Sequence, residues 1–334
     1  MHGFRLEPKD EYAHVPTSEV NFNESVYANA FDAEGRFGGW MRLGNRVNEG
    51  YAELSVVMYL PGGRVACQFA RPRIATNERH DAGGLTYRVH APFEHVSLVY
   101  RGETLQLADP AALRDPKAAL AAAPRLPSEI RFDLVGVSPL HGGEPTSPEQ
   151  QTMYGRDFSL GHFNQHMRAE GQLAIGEERF ALNGYGWRDH SWGPRYWTNI
   201  YFYRLFIANF GPDRGFMLLK ITDRAGRARR CGVLMVDGEY EEIIDLDVMT
   251  AWSPAKDPAA MQLGVRTARR AVRIDGRVLT MLPLRNRRQQ DGEVLQSRIA
   301  EGFTAFTWDG RTGYGMTEYI EVLDAQGVPV GYPL

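Results

Sequence analysis

The chain has 334 residues, a length that suggests two domains at about 150 residues each. Its hydrophobic fraction of 43% and charged fraction of 24% are typical of a globular protein and exclude a disordered or collagen-like chain. The 38 basic and 41 acidic residues leave a net charge of -3, so neither nucleic acid nor anionic lipid is an expected partner. No apolar run reaches the roughly 18 residues that a membrane-spanning helix needs.

Cysteine usage and the N-terminal residues indicate a compartment. Cys67 and Cys231 are too few for a disulfide framework, and they lack the C-x-x-C spacing of metal and redox motifs. The N-terminal segment contains no apolar stretch of the kind found in secretory signals. We therefore expect a protein of the reducing cytoplasm, with its oligomeric state left open.

Alternating apolar and polar residues predict half-buried antiparallel strands along most of the chain. In chain order, the clearest strands are expected at residues 54–60, 130–134, 216–221, 244–248 and 272–274. The alanine-rich segment 110–123 is the one helical candidate, and Pro110 and Pro116 limit it to short turns. The segment 139–151 contains glycines and prolines that predict a surface loop.

The most unusual segment is 184–197, which concentrates tryptophans, tyrosines and arginines around an Asp-His pair. If the segment is a strand, its side chains alternate between two faces, and one face points into a barrel or cleft. The two sets are Trp187, Asp189 and Ser191 on one face, and Arg188, His190 and Trp192 on the other.

Asp189 and His190 are the candidate catalytic residues. An adjacent carboxylate and imidazole supply an acid/base pair that titrates near neutrality, and the surrounding indole rings exclude water and stabilise a cationic intermediate. In the structural alternative, Asp189 forms a buried salt bridge with Arg188 or Arg195, His190 is only hydrogen-bonded, and the tryptophans fill the core.

The absence of metal-binding and cofactor-binding motifs argues against several other enzyme classes. His162 and His166 would share a strand face and could bind a metal with His190, but no H-E-x-x-H or other diagnostic spacing supports such a site, so we expect no metal. Gln165 and His166 are expected instead to line the pocket or to satisfy the backbone beside the Asp189 strand. The absence of G-x-S-x-G, P-loop and G-x-G-x-x-G motifs argues against a serine hydrolase, a nucleotide triphosphatase or a dinucleotide enzyme, and we expect no cofactor.

An internal repeat indicates two related domains. The Gly-Tyr-Gly strings at residues 184–186 and 313–315 are each followed, three residues after the second glycine, by an acid, Asp189 or Glu318. This spacing predicts two β-domains whose closing strands carry the same pattern. The alternative is coincidence in a glycine-rich chain.

The segment 184–195, Gly-Tyr-Gly-Trp-Arg-Asp-His-Ser-Trp-Gly-Pro-Arg, preceded by Gln165 and Gly171, resembles the superfamily of carotenoid hydratases, kievitone hydratase, AttH-like proteins and fungal lipocalin-like Diels-Alderases. The resemblance implies two lipocalin-like β-barrels over nearly the whole chain, with Glu318 on the closing strand of the second. It also implies hydration, dehydration, isomerisation or cyclisation of hydrophobic, often terpenoid or polyketide, substrates. Fold transfers better than function within such a superfamily.

These observations predict an all-β protein of two lipocalin-like, calycin-type barrels, residues 1–190 and 191–334. The predicted function is that of a cofactor-independent hydratase, dehydratase, isomerase or cyclase acting on a hydrophobic terpenoid- or steroid-like molecule. Asp189 or charged His190 would protonate an alkene, and aromatic side chains would shelter the carbocation. The alternative is a non-catalytic binder of an apolar small molecule. The predicted substrate-binding residues are Tyr185, Trp187, Trp192, Gln165, His166, Arg195 and Glu318.

Overall fold

The computed structural model describes residues 3–155, 158–197, 200–290 and 293–330, without the side chains of residues 288–290 and 293. The chain divides into two compact units. The first unit comprises Met1–Pro61, Val65–Leu107 and Ala123–Tyr196, and the second comprises Gly62–Arg64, Ala108–Ala122 and Trp197–Leu334. Within the described ranges, no helix is both long and apolar enough to cross a bilayer.

Antiparallel strands make up most of the first unit, with short 3-10 turns at Pro8–Glu11 and Val47–Glu49. The strands are β1 (Phe4–Arg5), β2 (Phe22–Asp32), β3 (Gly38–Arg46), β4 (Tyr51–Tyr59), β5 (Val65–Ala70), β6 (Asp81–Ala82), β7 (Leu85–Ala91), β8 (His95–Leu107), β9 (Arg125–Gly136), β10 (His141–Pro145), β11 (Gly161–Ile175) and β12 (Glu178–Pro194).

A closed ring of pairings forms the first barrel. The ring runs β2-β3-β4-β5-β8 and returns through β9, β11 and β12, because β9 pairs with both β8 and β11 while β12 pairs with β2. Alternation along these strands places one set of apolar side chains inside, and their burial is the main force that stabilises the barrel. The buried set includes Val26, Ala28, Met41, Leu43, Val56, Leu98, Phe132, Met167 and Leu182.

The second unit is also a barrel, with its own core. Its strands are β13 (Ile200–Asn209), β14 (Arg214–Asp223), β15 (Ala228–Val236), β16 (Glu239–Trp252), β17 (Pro258–Thr267), β18 (Ala271–Gln290), β19 (Glu293–Trp308) and β20 (Arg311–Leu323), which close in that order. The 3-10 turn Pro110–Arg114 and the helix α1 (Pro116–Ala122) belong to this unit, as do Gly62 and Gly63 of the 3-10 turn Pro61–Gly63. The structure therefore confirms the predicted all-β class of tandem lipocalin-like barrels.

The Gly-Tyr-Gly strings lie on the closing strand of each barrel, as the repeat predicts. β12 pairs with β2, and β20 pairs with β13, so each string lies beside the first strand of its barrel. A Cβ atom on Gly186 would lie 1.8 Å from the backbone oxygen of Asn29, and one on Gly315 would lie 1.9 Å from that of Ile207. Glycine is therefore required where the first and last strands approach each other.

Local predictions had mixed outcomes. The strands expected at residues 54–60, 130–134, 216–221, 244–248 and 272–274 overlap β4, β9, β14, β16 and β18, and the segment 110–123 forms the expected short turns. The loop predicted at 139–151 is wrong in part, because it contains β10, which pairs with β11. A short His-Gly-Gly-Glu-Pro strand has no apolar alternation by which to recognise it.

The domain boundary expected at residue 190 falls inside β12. The pairing of β12 with β2 continues to Pro194, and the chain passes from the first unit to the second between Tyr196 and Trp197. The Asp-His segment is therefore part of the first unit as far as Tyr196.

Candidate functional site

Strand β12 carries the predicted site between β2 and β11, and its side chains alternate between two faces as predicted. Arg188, His190 and Trp192 lie on the interior face, the side of Leu182 and the barrel core. The opposite side of the same three strands is termed the Asp189 face. It carries Tyr185, Trp187, Asp189 and Ser191 of β12, His162, Asn164 and His166 of β11, and Tyr27 and Asn29 of β2.

A carboxylate and an imidazole form a close pair on the Asp189 face. The Nε2 atom of His162 contacts Oδ2 of Asp189. The His162 side chain is 2% exposed and that of Asp189 is 15% exposed, so the carboxylate is the member that solvent reaches. Burial alone raises the pKa of Asp189, but attraction and hydrogen bonding to His162, with weaker attraction to Arg195 and His190, hold this pKa below its usual value. Asp189 is therefore ionised at neutral pH.

Two buried polar atoms without a hydrogen-bond partner lie on the Asp189 face. Tyr27 and Asn164 are the neighbours of Asp189 on β2 and β11, and the Tyr27 ring lies 5.9 Å from that of Trp40. The buried Nε1 of Trp40 and Oδ1 of Asn164 have no hydrogen-bond partner among the described residues. Because buried polar atoms are normally paired, these two atoms on the Asp189 face are candidates for hydrogen bonds with polar groups of a ligand.

Arg195 adds a buried cation near Asp189. Its Nη2 donates to Oγ of Ser191 at 2.6 Å, its Nε donates to the Phe158 carbonyl at 3.2 Å, and its guanidinium lies over the Phe158 ring at 4.1 Å. Burial and repulsion from Arg42 lower the pKa of Arg195 to about 9, against the attraction of Asp189. This predicted substrate-binding residue therefore lies on the same side of β12 as the Asp189 carboxylate.

His190 pairs with Glu24 on the interior face. Its Nε2 lies 2.7 Å from Oε1 of Glu24, and the same oxygen lies 3.0 Å from Nδ1 of His14. Burial raises the pKa of Glu24, but hydrogen bonds and attraction to the two imidazoles lower it to about 2. The His80 ring lies 5.6 Å from that of His190, and burial lowers the pKa of His80 to about 4. His80 is therefore neutral at physiological pH.

Arg188 and Gln165 also lie on the interior face. The Arg188 guanidinium donates to Glu11 at 2.5 Å and to Oε1 of Gln165 at 2.8 and 3.1 Å. The amide of Gln165 donates to the Ser138 carbonyl at 3.0 Å. Gln165, predicted to bind substrate, thus anchors a buried arginine on the face opposite Asp189.

The predicted aromatic residues divide between the faces. Trp187 is buried on the Asp189 face with its ring 4.5 Å from that of His166, and Tyr185 is half-buried on the same face. Trp192 lies on the interior face and stacks on His14 with a centroid distance of 3.8 Å. Of the predicted aromatic residues of β12, Tyr185 and Trp187 therefore share the side of Asp189, together with His166 of β11, whereas Trp192 does not.

Glu318 lies in the second unit, on β20, directly opposite Glu301 of β19. Burial and the neighbouring Glu318 raise the pKa of Glu301 well above its usual value, and a hydrogen bond joins the two carboxyl groups. A hydrogen bond between two carboxyl groups requires a proton, and the raised pKa assigns that proton to Glu301.

One sequence-based expectation needs correction. Asp189 and His190 are consecutive on a strand, so their side chains point to opposite faces, and each binds a different partner. They do not form one acid/base pair. His190 is also on the face opposite His162 and His166, so these three histidines cannot bind one metal ion.

The partner that sequence reasoning missed is His162. β11 and β12 form a hairpin whose turn contains Gly176 at a φ of 56°. The register places His162 opposite Ser191, which is two residues from Asp189 and on the same face of β12. Recognising that turn and counting outwards from it would have brought His162 and Asp189 together.

Comparison with known proteins identifies the family. A family model described as a domain of unknown function, DUF7064, matches residues 7–322. The chain belongs to the DUF7064 family. A search of the curated proteins found no match for this DUF7064 member.

Solved structures share its fold. A Nitrosomonas europaea protein provisionally assigned as AttH is 14% identical, with a TM-score of 0.59 over 96% of this chain and 97% of that one. Kievitone hydratase from Nectria haematococca is 12% identical, with a TM-score of 0.58 over 95% and 93%. CghA is 12% identical, with a TM-score of 0.54 over 98% and 97%. These AttH-like neighbours confirm the predicted resemblance, and at such identities they show the fold alone.

Proposed function

We propose that this DUF7064 protein is an enzyme that hydrates, dehydrates, isomerises or cyclises a hydrophobic small molecule by side-chain acid/base chemistry. The observation that carries the proposal is the pairing of a solvent-reachable carboxylate, Asp189, with a buried imidazole, His162. Such a pair can accept a proton and later return it. The proposal replaces the Asp189–His190 pair that the sequence suggested.

Asp189 is the catalytic residue in this scheme. In hydration, the Asp189 carboxylate accepts a proton from water while the water oxygen bonds to one alkene carbon, and Asp189 then gives that proton to the other alkene carbon, which takes up the electron pair of the C=C bond. Dehydration is the reverse: Asp189 accepts a proton from the carbon next to the one that bears the hydroxyl, the C–H electron pair forms the C=C bond, and Asp189 returns the proton to the hydroxyl oxygen, which leaves as water. His162 acts as a positioning residue, since its Nε2 contacts the carboxylate and it is itself buried. Acid/base placement of this kind contributes about a hundred- to ten-thousand-fold in rate.

The surroundings of Asp189 combine aromatic rings with polar side chains, from which we infer an apolar substrate that carries isolated polar groups. The aromatic side chains of Tyr27, Trp40 and Trp187 lie on this side of the sheet, and such rings stabilise a cationic intermediate and exclude water. The unpaired Trp40 Nε1 would donate to a substrate hydroxyl or carbonyl oxygen, and the unpaired Asn164 Oδ1 would accept from a substrate hydroxyl. A terpenoid- or steroid-like molecule has this combination of a large apolar body and isolated oxygens. The name of one structural neighbour, kievitone hydratase, is consistent with hydration.

The experiment that tests this function separates reaction from binding. Purified protein is incubated in H2(18)O with a panel of terpenoid and steroid alkenes and alcohols, and the products are resolved by chromatography and mass spectrometry. We expect at least one compound to gain labelled water, lose water or isomerise, at a rate that follows protein concentration. A compound that binds and is recovered unchanged would establish the non-catalytic binder instead.

A further inference from the structure

The interior face of the first barrel brings together three side chains that bind metals in proteins. His14, Glu24 and His190 each offer one ligand atom, and these atoms all lie within 4.8 Å of one another. Oε1 of Glu24 lies 3.0 Å from Nδ1 of His14 and 2.7 Å from Nε2 of His190. Glu24 and His190 are held by paired strands, since β2 and β12 are neighbours.

These distances are close to those of a zinc centre. Zinc binds imidazole nitrogen and carboxylate oxygen at about 2.0–2.2 Å in tetrahedral geometry, which places neighbouring ligand atoms roughly 3.3 Å apart. The two distances from Glu24 would lengthen by a few tenths of an ångström to reach that spacing, and the ligand atoms of His14 and His190 lie within 4.8 Å of each other. Two histidines and one glutamate are also a ligand set that leaves the fourth position to water.

The surroundings support metal binding in two further ways. A carboxylate oxygen of Asp10 lies 3.5 Å from Nε2 of His14, the second ring nitrogen, and carboxylates in that position orient histidine ligands of zinc. His14 is also fixed by stacking on Trp192 at 3.8 Å and by a hydrogen bond of 2.8 Å from Asn77 to its carbonyl. The side chains of Glu24 and His190 are at most 1% exposed, whereas that of His14 is 18% exposed and is therefore the ligand that solvent reaches.

We propose that His14, Glu24 and His190 form a binding site for a divalent transition-metal ion, with zinc as the best match. The site lies on the face opposite Asp189, so its first role is to stabilise the first barrel, and no step of the proposed reaction passes through it. This proposal departs from the expectation of no metal. The sequence concealed the site because the three residues are far apart in the chain and follow no ligand motif.

The test uses the full-length protein, stripped of metal with EDTA and titrated with ZnSO4 and CoCl2 by calorimetry and absorption. His14→Asn removes the most exposed ligand. The matched control is His95→Asn, which removes a ligand from the surface cluster of His90, His95 and Asp133, the other described group whose ligand atoms converge. We expect one tight ion per chain in the wild type and in His95→Asn, and an affinity about 100-fold lower or worse in His14→Asn.

Two results would overturn the proposal. One is a wild-type protein that binds no zinc; the other is a stoichiometric ion that His95→Asn loses and His14→Asn retains. Circular dichroism in EDTA checks that each variant is folded. If His14→Asn fails to fold, anomalous diffraction from zinc-soaked wild-type crystals decides the question: a peak between His14, Glu24 and His190 supports the site, and its absence there refutes it.

Discussion

At the residue scale, Asp189 and His190 show how strand geometry separates two neighbours in sequence. Each side chain is largely buried and would be costly to ionise alone, so each lies against a partner from another strand. Asp189 contacts His162 of β11, and His190 contacts Glu24 of β2. The chemistry available on each face therefore depends on residues distant in sequence.

Glu24 links folding stability to acid pH. Its pKa is about 2 in the folded protein, below the ordinary value of 4.5, so its contribution is fully present above about pH 4.5 and is lost as the pH falls toward 2. The shift corresponds to at most roughly 3 kcal/mol. In urea denaturation with EDTA present, we expect the free energy of unfolding to fall less steeply between about pH 5 and 3 in Glu24→Gln than in the wild type. The exposed Glu34→Gln should keep the wild-type slope, and equal slopes in all three proteins would contradict the assignment.

Glu301 gives the opposite dependence. Burial and the neighbouring Glu318 raise the pKa of Glu301. Above the ordinary pKa of a glutamate, Glu301 therefore releases its proton in the unfolded chain but retains it in the folded protein, so the free energy of unfolding decreases as the pH rises. Glu301→Gln mimics the protonated form, so it should increase the free energy of unfolding, with the largest gain at the highest pH. Urea titrations from about pH 5 to 9 measure this effect, with exposed Glu242→Gln as the control. A variant less stable than the wild type throughout would show that Glu301 is ionised in the fold.

At the element scale, the closing strands depend on glycine. Alanine at position 186 would place its Cβ 1.8 Å from the Asn29 carbonyl oxygen, which is too close for any contact, so β12 must move away from β2. We expect Gly186→Ala to lower the free energy of unfolding by about 2–4 kcal/mol. Gly264→Ala is the control, because this strand glycine has ordinary space with its nearest atom at 3.6 Å, and it should change stability by less than about 1 kcal/mol. Equal effects of the two substitutions would mean that the close strand approach is absent.

The elements also show what the sequence can predict. Alternation assigned the residues of β12 to the correct faces, and the repeated Gly-Tyr-Gly string located both closing strands, because these signals are local. Local patterns do not reveal which strand lies beside which. The contacts of Asp189 with His162 and of His190 with Glu24 depend on such pairing, so the partners were missed, while β10 was missed because it is short and lacks alternation.

At the scale of the whole molecule, two segments, Gly62–Arg64 and the longer Ala108–Ala122, lie within the sequence of the first unit but belong to the second. Ala108–Ala122 lies between β8 and β9 of the first barrel in sequence but belongs to the second unit, where Leu113 is buried and Arg114 pairs with Asp257. In hydrogen exchange at increasing urea, we expect the amides of residues 112–119 to lose protection together with β18 rather than with β8 and β9. Arg114→Ala should speed their exchange roughly five-fold without affecting β8. Exchange that follows β8 and β9 would contradict this division of the chain.

The central claim is that the Asp189 carboxylate performs the acid/base step on one face of β12. The most direct measurement is the turnover of the Asp189→Asn variant in the labelled-water assay. The control is Asp133→Asn, because Asp133 forms another Asp–His pair of the same unit, with His95 Nε2 at 2.7 Å. We expect the turnover rate of folded Asp189→Asn to be at least about 100-fold below that of the wild type, and that of Asp133→Asn to equal the wild-type rate. Wild-type turnover by a folded Asp189→Asn protein would contradict it.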